Sequence, residues 1–141
     1  MNSLNVGLVG YCPPTKYDEA EAARLVEEAL DAVVREYPDV EEFTLVAELT
    51  DMGVQALAYR SAKKRGWMTV GIACTKAEKY GWFDVDEYTI VPGDRWGVES
   101  ETFLKECDVL VRIGGGEQSH REAKLFAERG GKVYAYELAA L

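Results

Sequence analysis

The sequence predicts a single α/β domain in three layers, a mainly parallel sheet with helices over both faces. Two observations predict it. Short apolar runs alternate with amphipathic helical stretches from one end of the 141-residue chain to the other, the pattern of repeated strand–helix–strand units. The apolar runs are continuous, as in NVGLVG, TVGIAC and DVLVRI, which is how strands covered on both faces read. The length suits one domain, 1–141, without a linker or repeat.

Asn5 to Gly10 is the first strand, and Tyr11-Cys12-Pro13-Pro14-Thr15 is a loop by its prolines. Asp18 opens a helix running to about Tyr37. Ala22, Val26, Ala29, Leu30, Val33 and Tyr37 share one face of it, and Pro38 stops it. Phe43 to Leu49 is the second strand. The second helix runs from about Asp51 or Gly53 to Arg65, with Arg60, Lys63, Lys64 and Arg65 at the negative end of its dipole and Gly66 just beyond. Thr69 to Cys74 is the third strand and Glu87 to Val91 the fourth. Between them lies a segment holding Tyr80, Trp82 and Phe83. Glu99 to Glu106 is a short helix and Asp108 to Ile113 the fifth strand. A helix from about Ser119 to Arg129 follows, then Gly130-Gly131 and a last strand, Lys132 to Tyr136. Ser119 and Glu122 have the spacing of a capping box.

The net charge is −9, and it is local: residues 18–42 hold ten acids and two arginines, while the remainder is nearly neutral. No basic stripe exists to bind a nucleic-acid backbone, so no nucleic-acid partner is expected. No apolar run approaches the roughly 20 residues of a membrane span, so no membrane association is expected. Cys12, Cys74 and Cys107 show no CxxC spacing, and His120 is the only histidine. An odd cysteine count without a leader segment fits a reducing, cytoplasmic setting, and no metal is expected.

In a parallel sheet the ligand crevice lies at the carboxyl ends of the strands. The loops that matter are therefore Gly10–Lys16, Thr50–Val54, Thr75–Tyr80 and Gly114–Ser119. Gly114-Gly115-Gly116-Glu117-Gln118-Ser119 is the strongest signal. Its glycines admit close approach of a ligand, and the free amides of the next helix favour a phosphate or carboxylate. A flexible turn is the alternative. Glu122 is either the capping-box acid or a carboxylate facing the crevice. Thr50, Asp51 and Gly53 are either a helix cap or a second wall of the phosphate site, and Gly10 opens the first loop. Neither GxGxxG nor GxxxxGKS/T is present, and no nucleophile elbow accompanies His120. Tyr80, Trp82, Phe83 and Trp96 are candidates to stack on a purine or pterin ring, or to cover a sheet edge or an interface between copies.

Three stretches resemble a known family: NVGLVGYCPP, LTDMGVQALAYRSAKKRGWMTVGIAC and DVLVRIGGGEQSHREAKLFAERGGKVYAYEL. Together they are similar to the Rossmann-like nucleotide-binding proteins of the SLOG superfamily, which includes the Lonely-guy (lysine-decarboxylase-like) and DprA-like proteins. The last stretch is similar to the family's PGGxGTxxE motif. Gly115, Gly116 and Glu122 match it, while Gly114, Gln118 and Ser119 stand where it has proline, glycine and threonine. The resemblance implies a Rossmann-like domain, and in the phosphoribohydrolase branch motif amides that hold a nucleotide 5′-phosphate. In the phosphoribohydrolase branch it implies a glutamate, here Glu122, that assists cleavage of the base–ribose bond. That branch's partner arginine falls near Glu99, an acid, and Arg95 is the nearest arginine. The resemblance further implies a homodimer or higher oligomer.

The expected function is binding of a nucleotide or phosphorylated nucleotide-like cofactor, as sensor or carrier. The ligand would lie against Gly10, Thr50, Asp51, Gly53, Gly114, Gly115, Gly116, Gln118 and Ser119. The alternative is a phosphoribohydrolase that uses Glu122 and Arg95.

Overall fold

Continuous apolar strands need cover on both faces, and the chain provides it with two pairs of helices. The computed structural model describes residues 2–141. The elements in order are β1 (Ser3–Gly10), α1 (Glu19–Glu36), β2 (Glu42–Ala47), α2 (Gly53–Lys64) and β3 (Met68–Cys74). A 3-10 helix (Thr75–Tyr80) follows, then β4 (Glu87–Val91), α3 (Ser100–Glu106), β5 (Val109–Ile113), α4 (Glu117–Glu128) and β6 (Lys132–Tyr136). The strands form one six-stranded sheet in the order β4-β3-β2-β1-β5-β6. Every pairing is parallel. The predicted α/β, three-layer, parallel-sheet architecture is the observed one.

Side chains alternate across the sheet. Val6, Leu8, Leu45, Ala47, Val109, Val111 and Ile113 pack with Ala22, Val26, Ala29, Leu30 and Val33 of α1 and Ala58, Tyr59 and Ala62 of α2. Val9, Val46, Ile72 and Leu110 point the other way, against Phe103 and Leu104 of α3 and Ala123 and Phe126 of α4. Asp18 caps α1 by accepting a hydrogen bond from the Glu21 amide at 3.0 Å. Tyr59 is fully buried, and its hydroxyl donates to the carbonyls of Ala47 (2.8 Å) and Val70 (3.1 Å), tying α2 to β2 and β3. Tyr59→Phe leaves both carbonyls short of a donor and is expected to cost about 1–2 kcal/mol in chemical denaturation; an unchanged midpoint would show the bond to be idle.

Two helix starts differ from expectation. α4 begins at Glu117, with Gly116 at the N-cap and no side-chain cap. The capping box is therefore absent: Ser119 is the third helical residue, and both it and Glu122 bond elsewhere. α2 starts after Met52, again without a side-chain cap, so neither Thr50 nor Asp51 serves as one. The backbone in between is held by the first loop instead, as the Val54 amide donates to the Tyr11 carbonyl at 2.9 Å.

The strand order sets the site. From β1 the chain steps outward through β2, β3 and β4, then returns to place β5 on the other side of β1. The loops after β1 and β5 diverge there, and a crevice opens at the carboxyl edge between them.

Candidate functional site

The crevice is a cleft of about 710 Å³ lined by the first loop, the end of β2, the 3-10 helix, the start of α3 and the start of α4. Six of the eleven residues expected to bind the ligand or catalyse line it: Gly10, Thr50, Gly116, Gln118, Ser119 and Glu122. Asp51, Gly53, Gly114, Gly115 and Arg95 do not. Asp51 is exposed and lies 3.5 Å from Arg60 on α2. Arg95 is exposed on the loop before α3. A second depression, about 520 Å³, lies at the opposite edge beside Ser3 and residues 36–40, far from the glycine turn.

The glycines of the β5–α4 turn divide the work. The Gly114 amide donates to the Tyr136 carbonyl at 2.8 Å, so it belongs to the sheet rather than to a ligand. Gly115 has φ +102°, and a Cβ there would stand 2.5 Å from the Ser119 Cβ. It lets α4 start close to β1, where the Ser119 hydroxyl donates to the Gly10 carbonyl at 3.3 Å. Gly116 is exposed, and a Cβ there would meet nothing within 4 Å. The first intrahelical bond of α4 runs from the His120 amide to the Gly116 carbonyl. The amides of Glu117, Gln118 and Ser119 come before that bond, and they head the positive end of the helix dipole beside the open space at Gly116. Gly53, with φ +75°, does a packing job across the cleft: a Cβ there would stand 2.7 Å from the Tyr11 carbonyl oxygen.

The charged residues that line the cleft are all acids, Glu48, Glu99, Glu117 and Glu122, and none is lysine, arginine or histidine. Glu99 and Glu122 are almost wholly buried, at 2% and 5% exposure. Glu99 accepts from the Gly97 amide (3.1 Å) and from the Gln118 side chain (3.3 Å). Glu122 accepts from the Ser100 hydroxyl at 2.7 Å. Burial pushes the Glu122 carboxyl above the usual range, and the charge of Glu99 adds to it. Glu48 is raised further, to about 8, first by burial and then by the charge of Glu99. Its Oε1 is buried without a donor. A carboxyl raised to about 8 is mostly protonated at neutral pH, so Glu48 is held in its neutral form beside the other acids. Burial and the Glu48 charge also raise the Cys12 thiol at the rim. Among the described residues no group of three histidine, cysteine or acidic side chains is placed to hold a metal ion.

Two of the four candidate aromatics reach the cleft. Tyr80 and Trp96 line it, with ring centroids 5.8 Å apart and both partly exposed. Lys76 lies over the Trp96 ring and Lys79 over the Tyr80 ring. Phe83 instead stacks on Tyr59 at 5.0 Å. Trp82 packs on Leu49, Ala73 and Ala77.

Glu48 was missed in the sequence. The signal was there: an acid closing the apolar run TLVAE, at the carboxyl end of a strand buried on both faces, faces the crevice or pays for burial. Glu99 was noted only as the acid at the position of the family's arginine.

No protein-family model and no curated protein matches the chain. Solved structures match it in fold. One is the molybdenum cofactor carrier protein of Chlamydomonas reinhardtii, at 18% identity and TM-score 0.72, covering 96% of this chain and 77% of the other. The molybdenum cofactor binding protein of Rippkaea orientalis matches with the same identity, TM-score and coverage. The structural-genomics target TM1055 matches at 23% identity and TM-score 0.71, covering 94% of this chain and 72% of the other. No helix is long and apolar enough to cross a membrane. What these likenesses establish is the fold: the chain shares the Rossmann-like three-layer architecture of these proteins.

Proposed function

We propose that the cleft binds a phosphorylated nucleotide-like or pterin-like cofactor, as a carrier or sensor. The observation that carries the reading is the uncapped start of α4. Its leading amides and the bare Gly116 face a cleft at the point where the strand order reverses. A phosphate there is held by the amides of Gly116, Glu117, Gln118 and Ser119. Gly10 and Thr50 form the adjoining walls, and the ring lies toward Tyr80 and Trp96. The fold neighbours support a ligand of this class, since two of them are described as carrying or binding molybdenum cofactor.

The test is binding of ribose 5-phosphate and nucleoside monophosphates by calorimetry, after native mass spectrometry of the purified protein for any ligand retained. Gly116→Ala is expected to weaken phosphate-bearing ligands by about ten-fold, or 1.4 kcal/mol. It should change stability by less than about 1 kcal/mol, because an N-cap alanine is only mildly disfavoured. Absence of binding at millimolar concentration by every phosphorylated ligand would sink the reading.

A second reading, hydrolysis of a nucleoside 5′-monophosphate to base and ribose 5-phosphate, is favoured by one observation: the Glu122 carboxyl lies buried at the cleft with its pKa raised. Release of free base that disappears in Glu122→Gln supports it. The exposed Arg95 is outside the cleft lining, so Arg95→Ala is the control that separates that residue from the reaction.

A further inference from the structure

Thr50 stands just beyond the carboxyl end of β2, and the backbone on either side of it is fixed. The Phe83 amide donates to the Leu49 carbonyl at 2.8 Å, and the Asp51 amide to the Gly81 carbonyl at 3.2 Å. The Thr50 side chain lines the cleft although the residue is only 4% exposed, and Gln55, in the first turn of α2, lines it at 5%. The Gln55 side-chain amide donates to the Thr50 hydroxyl oxygen at 3.0 Å. That bond decides what the hydroxyl can still do. A threonine hydroxyl has one proton to give and two lone pairs that receive. Gln55 occupies a lone pair, so the proton points elsewhere, and no group among the described residues accepts it. Buried donors are almost always paired. Other donors of the lining are used within the protein, the Ser119 hydroxyl on the Gly10 carbonyl and the Gln118 amide on Glu99. The Thr50 proton is therefore an oriented donor left over at the cleft wall. The sheet keeps it apart from the α4 amides. β2 and β5 are the two neighbours of β1, so their ends stand two strand spacings apart, about 10 Å. One phosphate does not span that distance.

We propose that Thr50 is a second ligand-binding donor of the cleft, received by a neutral oxygen acceptor, a hydroxyl or a carbonyl, on the part of the ligand remote from its phosphate, and that Gln55 is the positioning residue that turns the Thr50 proton toward it. A hydroxyl without a partner on its oxygen rotates among three staggered positions; the bond from Gln55 fixes the rotor before the ligand arrives. Donation to the hydroxyl oxygen also polarises its O–H, so the proton it presents is the stronger for it. A ligand without an oxygen at this place leaves the buried donor unpaired and is selected against. The proposal rests on the cleft being the phosphate-ligand site described above.

The experiment is calorimetry with ribose 5-phosphate, AMP and UMP, and with inorganic phosphate as the probe of the α4 end, on the wild-type protein, Thr50→Val, Gln55→Met and the double variant. Thr50→Val keeps the shape and removes the donor. It is expected to weaken the organic phosphates that bind the wild type by about five- to ten-fold and to leave inorganic phosphate unchanged. Gln55→Met should weaken them a few-fold when the hydroxyl is present and less than about two-fold in the Thr50→Val background, where nothing is left to position. A merely structural Gln55 would cost the same in both backgrounds. Melting curves establish that the variants fold; should Thr50→Val fail to, Gln55→Met decides alone, and unchanged affinity for the organic phosphates overturns the proposal. Equal binding of the organic phosphates to wild type and Thr50→Val overturns it while the phosphate-ligand reading stands. A loss that extends equally to inorganic phosphate, or a Gln55→Met loss that does not depend on the hydroxyl, overturns it as well. If inorganic phosphate binds too weakly to read, the two backgrounds of Gln55→Met decide. If no phosphorylated ligand binds the wild type, both readings fall.

Discussion

Glu48→Gln is expected to stabilise the protein by roughly 2–4 kcal/mol at neutral pH, about 10 °C in melting temperature for a domain of this size. The reasoning is a proton balance. Glu48 is raised from 4.5 to about 8 in the folded state, by burial and then by the charge of Glu99. Folding near pH 7 therefore takes up a proton that the unfolded chain has released, and each unit of that difference costs about 1.4 kcal/mol. The stability linked to Glu48 is fully present below about pH 4.5 and is lost as the pH rises through about 8. Glutamine is neutral like the protonated acid, has nearly its shape, and titrates nowhere. The variant's advantage should accordingly be small at pH 5, larger at pH 7 and greatest above pH 8. Melts at the three pH values check this. An advantage that stays flat with pH, or a loss above pH 8, would mean that Glu48 does not carry a proton in the folded state at neutral pH. Glu122, also raised, contributes in the same direction and remains in the variant. Stability gained at a site that binding needs is the usual trade between the two properties.

Gly115→Ala is expected to be the most damaging small substitution in the turn, at about 3–5 kcal/mol. Two costs add. The backbone at φ +102° disfavours any Cβ, a strain of about 1–3 kcal/mol. The new methyl would also stand 2.5 Å from the Ser119 Cβ and 2.8 Å from its hydroxyl, and overpacking of this kind costs about 1–3 kcal/mol. Ser119 cannot give way without losing its bond to the Gly10 carbonyl. Gly115→Ala and Gly116→Ala thus form a contrast at adjacent positions: one should lower the denaturation midpoint sharply, the other should spare the fold and weaken the ligand. Equal stability of the two variants would show that the turn has slack the geometry does not display.

The fold was legible because the apolar runs are long, unbroken and evenly interrupted by helices. Asp18 as the first helix cap, Pro38 as its stop and the glycine-led approach to α4 are local signals, and each stands as read. The helix starts at Gly53 and Glu117 were harder. There the backbone is held by tertiary contacts, Tyr11 to Val54 and Gly10 to Ser119, which outweigh the capping preferences of Thr50, Asp51 and Ser119. The site was half legible. Gly10, Thr50, Gly116, Gln118, Ser119 and Glu122 converge because they follow strands that end at one edge. The acid cluster was not legible as a unit. Glu48, Glu99 and Glu122 come from three elements, and only the return of the chain to β5 brings them together. Nothing in local spacing reports that residues so far apart in sequence raise one another's carboxyl groups.

That return also orders the assembly of the molecule. β1 pairs on one side with β2, begun at residue 42, and on the other with β5, begun at residue 109. A growing chain can lay down β1 to β4 and cover one face with α1 and α2 while the far edge of β1 is still bare. Its unpaired backbone and the opposite apolar face, Val9, Val46 and Ile72, wait for α3, β5 and α4. Closing so distant a pairing is slow, and an open central edge is the kind that captures a neighbouring chain. The crevice is consequently incomplete until α4 has been made, and a chain cut short before β5 carries an adhesive edge where the finished one carries its cleft.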